Sequence, residues 1–236
     1  MSLADTVPAT APHRAPFGRQ VAELVRRDLV VEARAREALL VTFPFGAAAL
    51  LVVPLAVGTD LALLRQLGPG LYWTVLLLFG ALVALRHSAE EAPAERDLLA
   101  LLGVDPEARF VSRVASSTVL LGAFQLLLAP VAIVLYDPAL TGWWWWVATV
   151  PLVAVGVGLV GTLATGLTRN LGERTSLASL LVVVLALPLL LAATQILESA
   201  RFGVRPWAWL GLLMLVDLVL SIAGLLSART LEEAPA

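Results

Sequence analysis

Six long apolar runs, separated by short polar connections, constrain this chain more than anything else in its 236 residues. They cover residues 39–57, 69–85, 114–136, 143–167, 177–197 and 207–228, and each holds 17 to 25 residues. A helix rises ~1.5 Å per residue, so a run of that length spans the ~30 Å hydrocarbon core of a bilayer. In lipid every backbone N–H and C=O needs an internal partner, and a helix supplies one for each. The expected fold is an all-α membrane protein: six transmembrane helices over residues 39–228, preceded by an N-terminal amphipathic interfacial helix. Composition agrees, with 59% hydrophobic residues and a mean hydropathy of +0.89. No connection is long enough to hold a separate catalytic domain.

Residues 1–17 carry Pro8, Pro12 and Pro16 among Ala and Thr and read as a disordered tail. Over residues 18–38, Val21, Leu24, Val25 and Leu29 recur at helical spacing, while Arg19, Glu23, Arg26, Arg27 and Arg34 take other positions. That pattern predicts a helix lying on the membrane surface, its basic face toward the headgroups of membrane lipids. No apolar segment of signal-peptide type precedes residue 39, so the first span is expected to serve as its own insertion signal. Residues 229–236 form a C-terminal tail.

All 16 basic residues are arginine. With the amino terminus inside, thirteen lie on the inner side: Arg14, Arg19, Arg26, Arg27, Arg34, Arg36, Arg86, Arg96, Arg109, Arg113, Arg169, Arg174 and Arg229. Only Arg65, Arg201 and Arg205 lie outside. The positive-inside rule selects this orientation, with both termini cytoplasmic. Aromatic residues open the even-numbered spans at the outer boundary: Tyr72 and Trp73, Trp143 to Trp146, Trp207 and Trp209. Pro44, Pro54, Pro130, Pro151 and Pro188 fall inside spans and predict kinks. Gly156, Gly158, Gly161 and Gly166 give the fourth span a surface that neighbouring helices can approach closely.

Several chemistries are excluded. The chain has no cysteine, hence no disulfide, thiolate ligation or C-x-x-C-H haem attachment. His13 and His87 are too few and too far apart for a local metal motif, so no metal is expected. No convergent catalytic residues are visible, and the chain is not expected to be an enzyme or to bind nucleic acid. Asp217 is the one acidic residue well inside a run. A charge at the bilayer centre costs roughly 2.5–3.5 kcal/mol on insertion scales, which makes Asp217 a functional candidate. Ser221 lies one turn away on the same face. Gln125, Thr162 and Thr165 are candidate partners, although such side chains also serve to bond helices together. His87, at the inner end of the second span, is a weak candidate haem ligand, with a solvated histidine as the alternative.

The longest inner connection holds a charged stretch, Glu90, Glu91, Glu95, Arg96 and Asp97, then an apolar stripe, Leu98, Leu99, Leu101 and Leu102. Gly103 ends it, and Asp105-Pro106 opens the next turn. This predicts a short helix with acidic and apolar faces, suited to a groove on a partner protein. The alternative is a solvated loop helix resting its apolar side on the bilayer.

RRDLVVEARAREALL before the first span, FGALVALRHSAEEAPAERDLLALLGVDPEARFVSRV after the second, and six spans in about 220 residues together resemble the CcmB family, haem exporter protein B of cytochrome c maturation. The resemblance implies a permease subunit of an ATP-binding-cassette (ABC) exporter in a bacterial inner membrane, with haem as substrate and no firmly bound cofactor. It implies a separate ABC ATPase dimer that binds ATP, a tryptophan-rich haem-handling membrane subunit and a small single-span subunit. Residues 90–103 then correspond to the coupling helix that docks in the ATPase. The sequence has no G-x-x-x-x-G-K-[ST] phosphate loop and no lysine to complete one, so this chain is not the ATPase. The Trp143 to Trp146 run lacks the W-G-x-x-W-x-W-D pattern of the haem-handling subunit, and that haem site is not carried over. Two other readings stand beside this one: an exporter permease for a lipid, drug or glycan, and a non-transporting membrane assembly factor.

Overall fold

The computed structural model describes residues 15–35, 37–58, 60–89, 101, 103–138, 142–169 and 175–233. Among these residues it holds seven helices and no strand: α1 Phe17–Ala35, α2 Glu37–Val57, α3 Leu61–Ala89, α4 Pro106–Tyr136, α5 Trp143–Arg169, α6 Thr175–Arg201 and α7 Trp207–Glu233. The last six are long and apolar enough to cross a membrane. The chain is a multi-pass membrane protein. Its spans alternate in direction, so α2, α4 and α6 start at an arginine-rich end and finish at an aromatic end.

The glycines of α5 show why it stands at the centre of the bundle. A Cβ on Gly161 would lie 2.5 Å from the Ala84 Cβ of α3, and one on Gly158 would lie 3.3 Å from the Thr118 hydroxyl of α4. One on Gly156 would lie 2.7 Å from Leu189 of α6 and 2.6 Å from Asp217 of α7. Each glycine thus lets a different neighbour pack against the α5 backbone, as expected where apolar helices gain nothing from leaving lipid and associate by close contact. The hydrophobic window of α5 is 67% buried, against 17% in α2, which lies at the edge against α3 and α4.

Two helix starts and one helix end lie well outside the runs read from the sequence. The second helix begins at Leu61, not near residue 69. Asp60 caps it, its Oδ1 accepting the N–H groups of Ala62 and Leu63 at 3.1 Å. Pro69 therefore sits inside the helix, and Tyr72 and Trp73 are buried in the bundle. The third helix starts two turns before residue 114, at Pro106, whose fixed φ suits the first helical position. The sixth span's helix continues to Glu233, past residue 228.

Helix α1 packs beside α4. Arg19, Glu23, Arg26 and Arg27 are exposed, and Leu29 packs against the core. Two polar contacts mark the register: the Asp105 N–H donates to Gln20 Oε1 at 3.0 Å, and the Ser116 hydroxyl, sharing its one proton with the Ser112 carbonyl at 2.9 Å, reaches Asp28 Oδ2 at 3.3 Å. Both members of these pairs advance together, so α1 runs alongside the first third of α4 in the same sense.

Candidate functional site

In lipid a hydroxyl group with no partner is costly, and most in this bundle are satisfied within their own helices. Thr118, Thr149, Thr162, Thr165, Thr194 and Ser227 each donate to the carbonyl four residues back, at 2.7–2.8 Å. The Ser221 hydroxyl does the same to the backbone oxygen of Asp217 at 2.7 Å and does not reach its carboxylate.

That background sets Asp217 apart. It is 7% exposed, at the junction of α5, α6 and α7 made by Gly156 and Leu189. Neither carboxyl oxygen has a hydrogen-bond partner among the described residues. Gln125 is fully buried on α4, and its side-chain amide has no partner among them either. Its backbone oxygen accepts the Tyr72 hydroxyl at 3.0 Å. Thr162 and Thr165 are occupied by Gly158 and Gly161 of their own helix. None of the partners expected from the sequence therefore bonds the Asp217 carboxyl. Counting ~1.5 Å per residue, Asp217 lies roughly 15 Å along α7 from Trp207, and Gln125 roughly 16 Å along α4 from Tyr136. Both occupy the middle depth of the bundle. Leaving such groups buried and unpaired costs on the order of 1–3 kcal/mol each, which the rest of the fold must offset.

Two residues of this kind were not singled out from the sequence. Ser117 Oγ and Trp73 Nε1 are also buried without partners among the described residues. Ser117 is indistinguishable in sequence from its neighbour Ser116, which bonds the Ser112 carbonyl at 2.9 Å. Trp73 reads as a boundary aromatic only if the helix starts near residue 69.

At the aromatic end the tryptophans divide. Trp143, Trp144 and Trp207 are exposed, whereas Trp145 is buried. Rings of Tyr72, Trp73 and Trp146 meet at centroid distances of 5.0–6.1 Å, and Trp145 lies edge-on to Trp207 at 5.1 Å. This cluster locks α3, α5 and α7 together there. Arg65 of α3 closes the same end: its Nε donates to the Asp137 carbonyl at 3.1 Å, and its Nη2 pairs with the Asp137 carboxylate.

At the arginine-rich end, His87 lies in the last turn of α3, and its side chain is outside the described residues. So are Glu90, Glu91, Glu95, Asp97, Leu98, Leu99 and Leu102. Leu101 is described and is 87% exposed. Gly103 follows with φ +72°, a left-handed conformation that glycine adopts without strain, and turns the chain into α4. Among the described residues no three His, Asp or Glu side chains gather as metal ligands would.

Residues 19–233 match the CcmB protein family. Heme exporter protein B of Haemophilus influenzae is 28% identical to the chain over 183 residues, which is 77% of this chain and 83% of the relative. Heme exporter protein B of Bradyrhizobium diazoefficiens is 29% identical over 207 residues, which is 84% of this chain and 91% of the relative. The match takes in all six spans, α1 from Arg19 and the whole connection between α3 and α4, and on that extent the chain belongs to the CcmB family.

Proposed function

We propose that this chain is the membrane permease subunit of an ABC-type exporter that serves haem delivery to c-type cytochromes. The observation that carries the reading is the family match over residues 19–233, joined to a chain that has no phosphate loop of its own. ATP is bound and hydrolysed by a partner ATPase dimer. The arginine-rich end faces the cytoplasm and both termini lie inside. Helix α1 sits at the inner boundary, its exposed Arg19 and Arg26 toward anionic headgroups. Residues 90–103 dock in the ATPase, and the exposure of Leu101 supports this, because an exposed apolar side chain suits a partner's groove. Haem is the substrate served, passed by this subunit or released from a haem-handling tryptophan-rich subunit, with a small single-span subunit completing the complex.

Deletion of the gene tests the reading. The expected outcome is loss of every c-type cytochrome with b-type cytochromes intact. Normal c-type cytochromes, with an ATPase still co-purifying, would instead assign the chain to export of a lipid, drug or glycan. Normal c-type cytochromes and no co-purifying ATPase would leave the assembly-factor reading.

A further inference from the structure

We propose that Gln20 is a positioning residue of energy coupling, pinning α1 to the start of α4 so that the two move as one lever. The inference rests on the proposed docking of residues 90–103 in an ATPase. Its ground is a bond network that the sequence does not advertise. Gln20 is a polar residue 7% exposed on a helix otherwise rich in exposed arginines. Its Nε2 donates to the Ala15 carbonyl at 2.8 Å, and its Oε1 accepts the Asp105 N–H at 3.0 Å. One side chain thus holds both the entry to α1 and the entry to α4, 85 positions away.

Asp105 occupies the N-cap position without a side-chain cap bond, and Pro106 behind it has no N–H. The chain reaches this point from the proposed docking segment through Gly103 and Val104 alone. A push on that segment therefore arrives first at the Asp105–Gln20 bond. Beyond the pin, Ala108, Ser112 and Ser116 of α4 are buried at four-residue spacing. These small residues let α1 lie close, and Ser116 reaches Asp28 at 3.3 Å as a weaker tie, its one proton shared with the Ser112 carbonyl at 2.9 Å. The lever reaches onward. The Phe110 ring of α4 fills the space that a side chain on Gly224 of α7 would need. Asp217 lies two turns further along that helix.

Two variants and one bridge test the proposal in the whole complex. In Gln20→Leu the ATPase should still co-purify and hydrolyse ATP, while haem attachment to exported c-type cytochromes falls about tenfold, the scale of losing a buried hydrogen-bonded pair. Gln20→Glu keeps an acceptor for the Asp105 N–H but sets an acceptor oxygen against the Ala15 carbonyl, and should recover only part of that loss. Undiminished haem attachment in Gln20→Leu would overturn the proposal. The chain has no cysteine, so Asp28→Cys with Ser116→Cys can be joined by a short reducible thiol crosslinker without background from this subunit. Helices that move as one should leave ATP hydrolysis by the purified complex unchanged. Loss of hydrolysis on bridging, restored by reduction, would show that α1 and α4 slide past each other and would overturn the proposal even if Gln20→Leu fails to accumulate. If no ATPase co-purifies with the unaltered chain, it is the exporter reading that falls, and the bond network stays without that role.

Discussion

Gly156 and Asp217 show what one missing methyl group does in this bundle. A Cβ on Gly156 would stand 2.6 Å from one carboxyl oxygen of Asp217 and 2.7 Å from Leu189. Both are side-chain ends in a buried junction, so Gly156→Ala must displace the Leu189 and Asp217 side chains. The expected cost is about 1–3 kcal/mol, read as earlier thermal unfolding in detergent. Gly122→Ala supplies the comparison. Nothing lies within 4 Å of the added carbon there, and the gain in helix propensity, about 1 kcal/mol, should leave that variant as stable as the parent or more so. Asp217→Asn separates packing from chemistry. No described group bonds either carboxyl oxygen, so an amide of the same size should leave the amount of assembled protein unchanged on immunoblots. If the carboxyl works in the transport cycle, haem staining of c-type cytochromes is lost in the same cells. Full staining would assign Asp217 to packing alone.

The elements were legible wherever apolar length decided them, and less so where a single polar contact did. The six spans follow from hydropathy, and the central place of α5 follows from its glycines. The start of α3 does not, because Asp60, Arg65 and Gln66 look like loop residues beside Pro69. Only the Asp60 cap and the Arg65–Asp137 clasp show that the helix begins eight residues earlier. Asp60→Ala should therefore destabilise α3's first turns by about 1 kcal/mol, the usual loss on removing an N-cap. Hydrogen exchange at Ala62 and Leu63 should rise while the rest of α3 stays protected. The candidate site was legible in part. Asp217 stands out because a carboxylate in an apolar run is costly anywhere, but its contacts depend on which way α7 faces, and a 3.6-residue period in an all-apolar helix leaves that face unmarked. Gln20 was hidden for the opposite reason, as one polar residue among many on a charged helix.

At the scale of the whole molecule, the arginine bias and the aromatic belt give one frame, and single cysteines can test it. Val204 is 60% exposed at the aromatic end, and Leu101 is 87% exposed at the other. With no native cysteine to interfere, Val204→Cys should react with a membrane-impermeant thiol reagent in intact cells, and Leu101→Cys only after lysis and removal of the docked ATPase. The reverse pattern would invert the topology. The self-contained hydroxyls of the spans also bear on how the bundle can move. Tyr72 reaches the α4 backbone and Tyr136 reaches the α2 backbone, so α2, α3 and α4 are stitched across their seams. Thr149 and Thr162 of α5, Thr194 of α6 and Ser221 of α7 spend their hydrogen bonds within their own helices. At the Gly156 junction these helices meet through bare glycine backbone, Leu189 and the unbonded Asp217 carboxyl, and among the described residues none of these four hydroxyls has a partner on another helix to exchange when one helix slides on another. Away from the ring cluster that ties α5 to α3 and α7 at the aromatic end, the α5–α7 half is thus a low-friction bearing set against a riveted frame.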